Sequence, residues 1–216
     1  MSDTYAAMSN APMQQNVSQI IRIDARNSFV ESLNDAFCYG KFHLGFTKYD
    51  LSKAKGSRQT DRVHIYIDVG RFLHLTQQLR TGELDYLANQ FRAQSQHGSL
   101  FKTMGGTPAE RLRMKRPDGH GQYRIMEIQP GNKPGSFYID ATSGAGDVRG
   151  NGIIAPVQGA KPDQRVGVPL SKEGLATLLY VSEMHYHAWL TACYSRTAIM
   201  LDGNPALNGW NPYSGC

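Results

Sequence analysis

The chain has 216 residues, 40% of them hydrophobic and 19% charged, which is enough apolar material for one compact domain or two small ones. That balance excludes a wholly disordered protein, and 22 glycines with 10 prolines exclude a coiled coil. The formal net charge of +5 suits a polyanionic partner, and it suits many ordinary enzymes as well. No apolar run approaches the roughly 18–20 residues of a membrane span, so no membrane partner is expected. The opening MSDTYAAMSNAPMQQN lacks the basic start and apolar centre of a secretory signal. Cys38, Cys193 and Cys216 are far apart, odd in number and without CxxC spacing. The expectation is a cytoplasmic protein with neither a disulfide framework nor a structural zinc site.

Residues 1–18 read as a flexible arm. The stretch 36–50, AFCYGKFHLGFTKYD, reads as a strand with period two. Cys38, Phe42, Leu44 and Phe46 lie on one face; Phe37, Tyr39, Lys41, His43 and Tyr49 lie on the other. A basic loop follows, LSKAKGSRQT. In Arg62–Ile67, Val63, Ile65 and Ile67 alternate with Arg62, His64 and Tyr66, the pattern of a half-buried antiparallel strand. Asp68 suits the N-cap of a helix carrying Phe72, Leu75 and Leu79 at helical spacing, with a second helix over Glu83–Gln94. Residues 95–121 hold glycines, prolines and a run of cations, and read as a long connection. Strands are expected at Gln122–Gln129, Ser136–Ala141 and around Ile153–Val157, with PGNKPG as a turn and SGAGDVRGNG as a flexible hairpin tip. Gln164–Leu170 leads through Ser171, a second N-cap, into the longest helical candidate, where Leu175, Leu178, Leu179 and Tyr186 form a stripe and Trp189 is a packing anchor. The segment 199–216, with Trp210, reads as an extended tail.

Two segments match each other in kind. RVHIYIDVGRFLHL (62–75) and QRVGVPLSKEGLATLL (164–179) both read as alternating strand, cap and amphipathic helix in one register. Together with the aromatic and basic strand 36–50, they resemble the positive-cofactor-four, whirly and PUR-type single-stranded DNA-binding fold, which pairs two sheet-plus-helix units. The resemblance is one of pattern, covers most of 36–195, and departs from the simplest version at 83–94 and 95–121. It implies an α+β protein of antiparallel curved sheets with amphipathic helices behind them. Residues 19–198 would then form one globular domain of two similar units, about 36–94 and 122–198.

Single-strand binders need cations for phosphates and exposed rings for bases. The expected contact residues are Tyr39, Lys41, His43, Lys48, Tyr49, Lys53, Lys55, Arg58, Arg62, His64 and Tyr66, with Arg111, Arg113, Lys115 and Arg116 as a second basic rim. The reading is non-catalytic binding of single-stranded DNA, in preference to RNA, with low sequence specificity and no cofactor or metal. A homo-oligomer and a protein partner for the Trp210 tail belong to the same reading. Two alternatives stand beside it: a nuclease or nucleotide-acting enzyme using His and Asp residues, and a protein-interaction module of a mobile element or phage. His185-x-His187 on a helix points two ways and chelates poorly. The glycine-rich 143–152 lacks the Lys-Ser/Thr end of a phosphate-binding loop.

Overall fold

The computed structural model describes residues 18–94, 98–150 and 152–201, with 196–201 by backbone alone. Residues 1–17 of the expected arm, the Trp210 tail from residue 202 and Cys216 lie outside the described residues. The first sheet is an antiparallel meander of β1 (Gln19–Asp24), β2 (Ser28–Leu33), β3 (Lys41–Tyr49) and β4 (Gln59–Asp68), paired in chain order. Two helices follow, α1 (Val69–Arg80) and α2 (Glu83–Ala93). The second sheet begins with β5 (Phe101–Thr107), β6 (Gly121–Pro130) and the long β7 (Ser136–Val148). One edge of β7 is shared by β8 (Ile154–Pro156) and β9 (Gln164–Ser171), all antiparallel. Helix α3 (Lys172–Leu201) completes an α+β architecture in which each sheet ends in a strand that runs straight into a helix.

Period-two patterning explains how the layers meet. Val63, Ile65 and Ile67 of β4 and Val166, Val168 and Leu170 of β9 are buried in one core, joined by Phe72 and Leu75 of α1 and Leu178 of α3. Each such side chain contributes about 1.5–3 kcal/mol on burial. The Phe42 ring of β3 stacks on Phe72 at 3.7 Å and 9°, tying the first sheet to the helix behind it. The two expected caps behave differently. Ser171 Oγ accepts from the Gly174 N–H at 3.0 Å. Asp68 occupies the N-cap of α1 but makes no side-chain cap bond. Register places Lys41 directly opposite, and the carboxylate pairs with that ammonium instead.

Three local expectations change. Phe37, Cys38 and Tyr39 form a single 3-10 turn rather than the start of a strand, because Gly40 at φ 66° turns the chain before β3 begins. The connection 95–121 contains β5, whose Gly105 and Gly106 hide its alternation. Most of the expected hairpin tip continues β7, since Ser143 through Val148 are strand. Gly146 is required there: a Cβ would come within 2.8 Å of the Tyr123 backbone nitrogen and of the Ile154 side chain. Trp189 packs against Phe37 at 5.8 Å and Tyr186 at 5.9 Å. Among the described residues, no helix is long and apolar enough to cross a membrane.

Replacing Phe42 with Ala should lower the unfolding free energy by about 3–5 kcal/mol with an unchanged urea m-value, since it removes a fully buried ring and its partner on α1. A loss below about 1 kcal/mol would show that this stack does not join sheet to helix.

Candidate nucleic-acid interface

A groove of about 540 Å³ lies where the two sheets present edges to each other. One side is β4, the last strand of the first sheet, and the other is β5, which begins the second. Tyr66 and Asp68 come from β4, Lys41 from β3 and Tyr39 from the 3-10 turn. Arg71 reaches in from the first turn of α1 and Arg124 from β6, while Thr103 through Thr107 form the β5 wall. Tyr39 is 74% exposed and Tyr66 47%. A Cβ on Gly105 would meet nothing within 4 Å, so that stretch of wall is bare backbone open to the groove.

Arg124 is a half-buried cation of this groove. In β6 it shares a face with Met126 and Ile128, opposite Gly105 of β5. It donates to Thr107 Oγ1 at 2.9 Å and to Gln122 Oε1 at 2.7 Å, both neutral. Among the described residues no carboxylate pairs with it. Burial holds its pKa below the usual guanidinium value, but an arginine of that kind stays charged. Arg71 donates to the Lys102 carbonyl and lies 5.3 Å from the Phe101 ring centre. The lining thus holds three cations, Lys41, Arg71 and Arg124, against the single carboxylate of Asp68. By contrast, the opposite face of the second sheet is compensated, with Lys102 on Glu127 at 2.5 Å and Arg165 on Asp140 at 2.9 Å.

Behind Tyr66 runs a polar relay. Its ring stacks on His43 with centroids 4.3 Å apart at 22°. His43 Nδ1 lies 2.7 Å from Asp35 Oδ1, and His43 Nε2 lies 2.7 Å from His64 Nδ1. A carboxylate only accepts, so His43 donates to Asp35 through Nδ1, and one proton is shared between His43 Nε2 and His64 Nδ1. Burial first, then His43 and the cations Arg62 and Arg124, pull the His64 pKa down to about 4. Burial raises the Tyr66 pKa, so its phenol is un-ionised at neutral pH.

The expected contact residues divide by position. Tyr39, Lys41 and Tyr66 meet at the groove. His43 is buried beneath Tyr66 at 3% exposure. His64 is half-buried beside it. The Tyr49 hydroxyl donates to the carbonyls of Ala25 and Arg26 at 2.9 and 3.3 Å, which makes it a brace for the β1–β2 turn. Arg62 is paired with the buried Glu31 at 3.2 Å, a fit that relies on Gly45 opposite, where a Cβ would meet Glu31 at 3.1 Å. Arg116 is held between Asp118 and Asp163, which raise its pKa and occupy its donors. Lys48, Lys53, Lys55 and Arg58 are exposed around the β3–β4 hairpin end, roughly 20 Å along β4 from Tyr66. Arg111, Arg113 and Lys115 are exposed between β5 and β6. Sequence reasoning missed Arg71 and Arg124. The signal for Arg124 was present: a cation in register with Met126 and Ile128 on the buried side of its strand.

No protein-family model and no curated protein matches the chain. Among solved structures, the crystal structure of the Whirly protein WHY3 from Arabidopsis thaliana is similar at 11% identity and a TM-score of 0.42, over 84% of this chain and 95% of that one. A likeness at that level does not bear on function. The antiparallel α+β fold stands on strand order and register.

The His64 ring gives a pH signature. Its folded pKa lies below its unfolded one, so stability is full above pH 6.5, falls as pH drops toward 4, and flattens below that. His64→Asn keeps a polar atom near the Nδ1 position and cannot titrate. Thermal scans from pH 7 to 4 should show a smaller loss of Tm in the variant than in the native chain. Equal losses would place the acid sensitivity elsewhere.

Proposed function

We propose that the protein binds single-stranded nucleic acid, DNA in the first place, without catalysis and with low sequence specificity. The observation that carries this reading is Arg124, a half-buried guanidinium with only neutral partners, opening on a groove that also exposes two tyrosine rings. A cation kept away from every described carboxylate is suited to an anionic guest, because burying it unpaired is otherwise costly. Phosphate oxygens accept from Arg124 and Arg71, while the charge of Lys41 is met by Asp68. A base stacks on the open face of Tyr66, and Tyr39 offers a second ring at the rim. Duplex fits this reading poorly, since its base faces are already stacked on one another.

The hairpin lysines and the Arg111–Lys115 stretch act over distance in this reading, raising the encounter rate without fixing the strand. Nothing in the groove presents a paired donor and acceptor set aimed at one base edge, so stacking and charge dominate and specificity stays low. Preference for DNA draws on the resemblance of the two strand–helix junctions noted in the sequence.

Fluorescence anisotropy with a labelled single-stranded 20-mer and its duplex, at two salt concentrations, tests the reading. The single strand should bind more tightly, and affinity should fall with salt. Tyr66→Ala should weaken binding about 5- to 150-fold, corresponding to about 1–3 kcal/mol of stacking. Arg124→Gln should weaken it and reduce the salt slope by about one phosphate contact. Absence of binding at low salt would remove the proposal. Binding untouched by both substitutions would move the interface away from the groove.

A further inference from the structure

We propose that the groove holds the end of a strand, taking a terminal phosphomonoester rather than an internal phosphodiester. This deepens the single-strand reading above and rests on it. Three features of the groove distinguish an end from the middle of a chain.

The first is charge. Lys41, Arg71 and Arg124 against Asp68 leave two positive charges in the lining. A phosphodiester carries one negative charge, whereas a phosphomonoester approaches two at neutral pH. The second is access. Arg124 sits back in the groove, and two of its N–H groups are already given to Thr107 and Gln122. A diester has to run its chain in and out again to reach the remaining donors. A monoester has one substituent and enters end-on, past the bare wall at Gly105. The third is stacking. One face of Tyr66 is covered by His43, so the ring has a single face to offer. It cannot be inserted between two bases, but it caps a stack whose last base has a free face. The volume, about 540 Å³, falls in the range of small-molecule pockets and suits one nucleotide with its phosphate.

The chemistry shared by a 5′-phosphate, a 3′-phosphate and a free nucleoside monophosphate is the same, and the experiment separates them. The full chain is titrated with an internally labelled 12-mer bearing 5′- and 3′-hydroxyl ends, the same 12-mer with a 5′-phosphate, and the same with a 3′-phosphate. A nucleoside 5′-monophosphate is added separately and followed by isothermal calorimetry. One phosphorylated end should bind at least 10-fold more tightly than the hydroxyl-ended strand. That advantage should shrink below pH 6, where the monoester takes up a proton. Gly105→Val fills the open wall while leaving every cation in place, and Arg124→Gln removes the recessed charge. Each should abolish the advantage of the phosphorylated end, with folding checked by circular dichroism.

Equal affinity for all three strands would overturn the end-binding proposal and leave single-strand binding standing. An advantage that survives Gly105→Val in a folded variant would also overturn it. If the nucleoside monophosphate binds and no oligonucleotide does, the phosphomonoester site holds and the strand reading falls. If neither binds, both fall.

Discussion

The register of β3 against β4 is the constraint on which the rest depends. Phe42 lies opposite Ile67 and His43 opposite Tyr66. One set of residues therefore faces the core, and the other builds the relay and the groove. A slip of one residue would turn the phenylalanines outward and bury the histidines among aliphatics, so the core and the site are specified by the same pairing. The Phe42–Phe72 stack then fixes α1 behind the sheet. Because α1 carries Arg71 in its first turn, the helix position also sets one of the groove cations. Packing energy in the interior and cation placement at the surface thus come from one alternation.

Much of this was legible in the sequence where a strand alternates cleanly and a helix follows. β4 with α1, and β9 with the first turns of α3, are read directly from Val63-x-Ile65-x-Ile67 and Val166-x-Val168-x-Leu170. β5 was not legible, because Gly105 and Gly106 interrupt its pattern and its partner lies across a long loop. The turn at Phe37–Tyr39 depends on the left-handed Gly40, and a sequence shows the glycine without its dihedral angle. Tyr39 and Tyr66 come together only through the tertiary arrangement, although each is visible as an aromatic on a polar face.

Charge was the least legible property, because a sequence counts cations and a fold decides which remain available. Arg62 and Arg116 look like the others in the chain but are committed to Glu31 and to Asp118 with Asp163. Their partners are distant in sequence or reached around a turn, so no local spacing reveals them. Arg124 is the converse. It stands in an apolar register, yet its hydrogen-bond partners are neutral. Outward-facing lysines on the β3–β4 hairpin contribute to the far field around the molecule.

The support under Gly106 has a thermodynamic consequence. A bare strand at the edge of a sheet is ordinarily a site of local opening, with little side-chain mass to hold it. In this protein Ile154 of β8 stands where a side chain of Gly106 would have been, within 2.6 Å of that missing Cβ, and also covers Gly146. The wall therefore combines a smooth outer surface with a backbone fixed from behind. On the proposed reading, a strand meeting this wall does not have to freeze a wandering segment, so the ordering entropy that weakens many loop-built sites is already spent when the chain folds.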